Sequence, residues 1–288
     1  MNRVEGSKKL SGNKIFRNCI CIFLCFLSLF PFYLLFINST LKSSDIQGTI
    51  RIIPGLNFFK NLKGLLEGEA KTSNVNVLQA MRNSLIVTVP ATFLQVYFAA
   101  LTAYGVHTYN FKLKKAAWAF IYAIMMVPTQ ISIVGFIKVA KLTHTYRTYI
   151  PLIIPAMAAP TTVYFMKQYM EASLSYEIIE AARIDGTTEF GTFNRIVIPL
   201  IKPAMATQAI FAFVGSWNNL FTPTMIIGNE RKKMTMPMYV EALKANDKTQ
   251  DMGQIYCGLF VTVLPILVMY ALLSRYIVAG VALGGVKE

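Results

Sequence analysis

Carboxamides stand in this chain where amides are expensive. Gln95, Gln130, Gln208, Asn218 and Asn219 all fall inside long apolar runs. An amide in such a setting must find hydrogen bonds, so each is either a contact between helices or part of a polar pathway. The stretch Gly215-Ser216-Trp217-Asn218-Asn219-Leu220-Phe221 also sets an aromatic ring beside two amides, ahead of Pro223. Amide hydrogen bonds and stacking on an apolar face are how a polyhydroxylated solute such as a sugar is recognised. Trp217, Asn218, Asn219, Gln130 and Gln95 are therefore candidate pathway residues, with packing between helices as the equal alternative.

Other chemistries lack their residues. No Asp, Glu, Lys or Arg lies near the middle of any apolar run, as an ion-coupled transporter would require. There is no repeated filter motif or charged ring for a channel. No G-x-x-x-x-G-K-[ST] loop occurs, so this chain does not bind ATP in the P-loop manner. No Ser/His/Asp, Cys/His or paired-carboxylate constellation forms, and no catalytic residue is expected. Cys19, Cys21, Cys25 and Cys257, with His107 and His144, lack metal-ligand spacing, so neither a metal nor a cofactor is expected on the chain. The net charge of +14 is spread over many loops without one basic face, which excludes a nucleic-acid partner. In the outward-facing loops those bases suit an anionic substrate or an acidic partner, or the headgroups of anionic membrane lipid.

The elements that must position these residues are membrane helices. Hydrophobic residues make up 55% of the 288, and charged residues only 15%, against the ~25% usual in soluble domains. After a basic N-terminus (1–14), the first apolar run covers 15–37, about the length that crosses a bilayer. It is long for a signal peptide, and Asn38-Ser39-Thr40 is a poor cleavage site. A polar extracytoplasmic loop (38–80) with short helical pieces follows. Residues 81–275 then carry five more spans, at 83–105, 116–137, 149–166, 204–227 and 255–273, before a tail at 276–288. The expectation is an all-α polytopic membrane protein with six transmembrane helices. The positive-inside rule is nearly silent, because this topology divides the 28 Lys and Arg evenly. The basic flank of the first span favours an inside N-terminus, and six spans then place both termini on the cytoplasmic side.

One polar interruption stands out, the loop 170–203. Tyr176, Ile179 and Ala182 share one helix face, and Glu177 and Glu180 lie toward the positive end of its dipole. Asp185-Gly186 permits a sharp turn. A second short helix, 188–196, leads to Ile198-Pro199-Leu200, and Pro203 suits the first turn of the next helix. The result is a helix–turn–helix elbow shaped for docking.

Glu180-Ala181-Ala182, Asp185-Gly186, Ile196-Val197-Ile198-Pro199 and Pro203 together resemble the EAA loop of ABC-importer membrane subunits. The Trp217-Asn218 stretch resembles the W-N-x-F-x-x-P pattern of carbohydrate permeases, and from about residue 83 onward the chain is most similar to the shorter subunit of the maltose type. The resemblance implies a cytoplasmic EAA coupling elbow in which Glu180, Ala181 and Ala182 form the face inserted into the ATPase. Asp185 and Gly186 would shape the turn, and Pro199 would start the return into the membrane. It also implies a heterodimer with a second homologous permease, an ATP-binding cassette ATPase dimer holding ATP and Mg, and an extracytoplasmic solute-binding protein. The cargo would be a sugar, the location a bacterial cytoplasmic (inner) membrane, and the mechanism alternating access. A permease for a non-sugar solute, or a non-transporting membrane scaffold, is the alternative.

Overall fold

The computed structural model describes residues 12–48, 50–67, 76–128, 130–244 and 251–284. Among them every regular element is a helix. Five stretches are long and apolar enough to cross a membrane: Phe16–Ser39, Val77–Thr108, Ile150–Ser173, Glu189–Trp217 and Met252–Tyr276.

Helix α1 (Gly12–Ser39) is apolar over its whole circumference, yet only 6% of its span is buried within the chain. It touches the rest of the molecule at its C-terminal end, where Phe36 meets Phe260 at 5.4 Å between ring centroids. The polar stretch that follows supplies two short helices, α2 (Ser43–Gly48) and α3 (Phe58–Glu67). Asn61 on α3 donates to the carbonyls of Ser39 and Leu41, closing the end of α1. Gly253 sits against that corner, where a β-carbon would meet the Leu41 oxygen at 2.6 Å.

The central rod is α4 (Val77–Thr108), capped by Asn76, whose side chain accepts from the Gln79 amide at 2.9 Å. Its apolar residues lie all round, as befits a helix enclosed by neighbours. Ala99, Ala100 and Ala103 are fully buried, and such small residues let α8 (Pro160–Ser173) and α11 (Ile198–Trp217) approach closely.

The expected third span, 116–137, is not one helix. It divides into α5 (Lys114–Met125) and α6 (Ile133–Leu142), with Pro128 in the gap. Proline lacks an amide hydrogen and disfavours helix in the residue before it. At 1.5 Å per residue the two pieces reach only ~18 and ~15 Å, each short of a ~30 Å hydrocarbon core. The fourth span likewise begins in pieces, with α7 (Ile150–Ile153) and a 3₁₀ turn at Ile154–Met157 preceding α8.

The elbow holds α9 (Tyr176–Ile184), α10 (Glu189–Thr192) and a π-helical turn at Phe193–Val197. Helix α11 begins at Ile198, earlier than expected, so Pro203 lies inside it rather than in its first turn. The expected fifth span breaks after Trp217 and resumes as α12 (Phe221–Ile227). Helix α13 (Met236–Lys244) lies in the following loop, and α14 (Met252–Gly284) extends well past the expected end of the sixth span. The N-terminal residues 1–11 and Gly285-Val286-Lys287-Glu288 lie outside the described residues.

Candidate functional site

The elbow is built on a sharp helix stop. Helix α9 ends at a C-cap, Asp185, followed by Gly186 at φ +75°. The Gly186 amide donates to the Arg183 carbonyl and the Thr187 amide to the Ala182 carbonyl, both at 3.0 Å. This paired pattern is the Schellman motif, and it explains why an Asp-Gly pair stands here. Thr188 then caps α10 by accepting the Gly191 amide at 3.2 Å. The π-helical turn ahead of Pro199 accommodates a residue that cannot donate its own backbone bond.

The two faces of α9 differ. Ile179 and Ala182 are buried, Ile179 in one cluster with Met166, Met170, Leu174 and Phe193. Glu180, Ala181, Asp185 and Gly186 are exposed, as is Pro199. Ile178, Ile184 and Phe190 add apolar surface, with Ile184 86% exposed. The expectation that all three residues of Glu180-Ala181-Ala182 share one outer face is corrected: Ala182 faces the bundle, because successive helical residues turn through about 100°. The Ser175 hydroxyl lies beside Glu177 and holds that carboxyl below its usual range, favouring a negative charge at the start of α9.

A polar latch ties this elbow to α4. Arg183 Nε donates to Glu189 Oε1 at 2.8 Å across the Asp-Gly turn. The Tyr104 hydroxyl donates to Glu189 Oε2 at 3.1 Å, and Arg183 sits over the Tyr109 ring at 5.6 Å. The hydrogen bond to Glu189 keeps the Arg183 guanidinium firmly charged. Tyr176 donates to the Thr108 carbonyl, and the Tyr97 hydroxyl to Asn194 Oδ1 at 3.1 Å. The Arg183–Glu189 pair is partly exposed, so it fixes geometry more than it adds stability. Reading the sequence missed Arg183, Glu189, Tyr104 and Tyr109. The available signal was a pair of opposite charges flanking a turn that reverses the chain.

The intramembrane amides separate into two groups. Gln95 donates to Thr162 Oγ1 at 2.9 Å, joining α4 to α8, and Gln208 is buried in α11. Gln130 and Asn218 are exposed and lie in helix breaks, between α5 and α6 and between α11 and α12. Asn219 caps α12 by accepting the Thr222 amide at 3.1 Å. Trp217 is 1% exposed, stacked on Phe213 at 5.7 Å, and donates to the Thr262 carbonyl at 3.0 Å. Burial leaves its ring no free face for a solute within this fold. The structure thus does not gather Gln95, Gln130, Trp217, Asn218 and Asn219 into one cluster.

At the end of the bundle opposite the elbow, the loop after α12 is strapped down. Asn83 donates to the carbonyls of Lys232 and Met234, both at 2.9 Å, and Ser84 Oγ accepts the Met236 amide at 2.7 Å. Lys233 donates to the Arg147 carbonyl at 2.7 Å. Both ends of α4 are therefore pinned, one to the elbow and one to this loop.

A helical bundle with a latched polar elbow between two spans defines a class, and the sequence matches it directly. Residues 95–279 match the family of binding-protein-dependent transport system inner membrane components, and the chain belongs to that family. It is a multi-pass membrane permease. Among its relatives, the arabinooligosaccharides transport system permease AraQ of Bacillus subtilis is 28% identical, covering 95% of this chain and 96% of that one. The probable ABC transporter permease YurM of the same organism is 31% identical over 74% of this chain and 71% of that one. The sn-glycerol-3-phosphate permease UgpE of Pectobacterium atrosepticum is 25% identical, covering 93% and 96%. A chain of a bacterial ABC transporter involved in importing the acidic polysaccharide alginate shares the fold, with a TM-score of 0.74 at 17% identity, over 94% of this chain and 98% of that one.

Proposed function

We propose that this chain is the permease subunit of an ABC importer for a carbohydrate, an oligosaccharide rather than a single sugar. Full-length similarity to an arabinooligosaccharide permease supports the cargo. The observation that carries the mechanism is the two-faced elbow, latched to α4 inside and offering Glu180, Ala181, Ile184 and Asp185 outside. An ATPase dimer, holding ATP and Mg, docks on that outer face. A second permease completes the pathway, and an extracytoplasmic binding protein delivers the solute to the strapped loop at the other end. Docking alone would drive nothing; the elbow must differ between two states of the bundle for ATP binding to shift them.

In this reading α5 and α6 together make one crossing, which brings the spans to six and places both termini and the elbow in the cytoplasm. Broken helices in transporters commonly lie where solute passes. Gln130 and Asn218, at such breaks, line the pathway, whereas Gln95 packs helices.

The test is ATP-driven uptake by proteoliposomes containing this chain, its partner permease, the ATPase and the binding protein. Labelled arabinooligosaccharide is taken up, and Glu180→Lys or Gly186→Trp abolishes uptake without loss of the membrane subunits. Uptake of sn-glycerol 3-phosphate in its place would reassign the cargo, in line with the UgpE relatives. Undiminished uptake by both variants would remove the elbow from the mechanism.

A further inference from the structure

Where α11 leaves the elbow and α14 nears its end, two cations surround one phenol. Lys202 Nζ lies 4.5 Å from the centre of the Tyr276 ring, and the Arg275 guanidinium carbon lies 4.7 Å from it. Arg275 Nη2 also donates to the Tyr276 hydroxyl at 2.7 Å. Neither Lys202 nor Arg275 forms an ion pair with a carboxylate among the described residues. Two cations converging at the edge of a membrane without a counter-charge make a ready site for an anion.

The same corner closes a groove of about 590 Å³ between α4, α11 and α14. Its walls are apolar, with Val89, Phe93, Val96, Met205, Ala209 and Leu273 along them. On α11 the lining runs from Ile198 to Phe213, a rise of ~22 Å, with Lys202 about one turn in from the elbow end. The groove is therefore long enough for an acyl chain, apolar along most of its length and cationic near its elbow end.

We propose that this groove binds an anionic phospholipid, with an acyl chain along α4 and α11 and the phosphate between Lys202 and Arg275. Lysine supplies a point charge and arginine a planar fork, a combination suited to phosphate oxygens. A helix of the partner permease could fill the apolar part, but it would have to bring a carboxylate to satisfy the two cations. The inference requires only that the bundle be embedded in a membrane, so it stands apart from the identity of the cargo.

Native mass spectrometry of the assembled transporter tests it, using phosphatidylglycerol and phosphatidylcholine of identical chains. Wild type retains phosphatidylglycerol about tenfold more than phosphatidylcholine. Lys202→Gln combined with Arg275→Gln reduces phosphatidylglycerol to the phosphatidylcholine level, Lys202→Arg keeps the preference, and Ala209→Trp removes both lipids. Equal retention of the two lipids by wild type, or full preference in the double glutamine variant, would overturn the proposal. So would efficient disulfide cross-linking of Ala209→Cys to a helix of the partner permease, which would mean that protein fills the groove.

Discussion

Gln95 and Asn218 are similar amides in similarly apolar runs, yet the fold uses them differently. Gln95 sits in the unbroken rod α4 and is consumed by a bond to Thr162 on α8. Asn218 sits where α11 stops and α12 has not begun, and it is exposed. Gln95, on a continuous helix whose backbone bonds are internal, is spent on a neighbouring helix, whereas Asn218, at a helix break, is left exposed. The rods α4, α8 and α11 form the stiff body that the elbow grips, while Gln130 and Asn218 lie exposed at the breaks between α5 and α6 and between α11 and α12.

The largest effect should come from loosening the rods beneath the elbow. Phe193 is fully buried and packs against Tyr104 at 5.4 Å, so Phe193→Ala should cost about 3–5 kcal/mol and lower the temperature of thermal aggregation of the purified complex. A smaller loss tests the turn. No atom lies near the position of a β-carbon on Gly186, so Gly186→Ala should cost only its left-handed backbone strain, about 1–2 kcal/mol, with assembly intact in a pull-down. The amides come next. Asn218→Ala should raise KM for uptake by about 2–10-fold, the value of one net hydrogen bond, without changing thermal stability. Gln95→Ala should do the reverse, and equal behaviour of the two would erase the distinction between the rod and the break.

The smallest effect concerns Glu177. Its folded-state pKa is lowered, so its contribution to α9 is present above the ordinary carboxylate range and is lost as pH falls through the folded value. Relative to residues in α4, amide hydrogen exchange in 176–184 should therefore stay level down to about pH 4.5 and rise as pH falls below it, and Glu177→Gln should flatten that dependence.

Much of this was legible in the sequence because its physics is local. Asp185-Gly186 is a helix stop wherever it folds, and apolar runs announce membrane helices by length alone. The break at Pro128 escaped because hydropathy is the same on both sides of it, so a single run concealed two helices. The early start of α11 escaped for a related reason: Pro199 and Pro203 both suit a helix start, and the π-helical turn that lets both be absorbed is set by packing around Phe193. The burial of Trp217 and the convergence of Tyr104, Tyr109, Arg183 and Glu189 depend on contacts between distant parts of the chain, which spacing does not reveal.

The central claim is that the latch passes elbow motion to α4. The most direct measurement is the ratio of ATP hydrolysed to solute taken up, in proteoliposomes carrying wild type or Glu189→Gln. Loss of the carboxylate should leave hydrolysis nearly unchanged and reduce uptake about tenfold or more, with the ATPase still bound in a pull-down. An unchanged ratio in the variant would contradict the account, because the elbow would then move the bundle without Arg183, Glu189 and Tyr104 joining them.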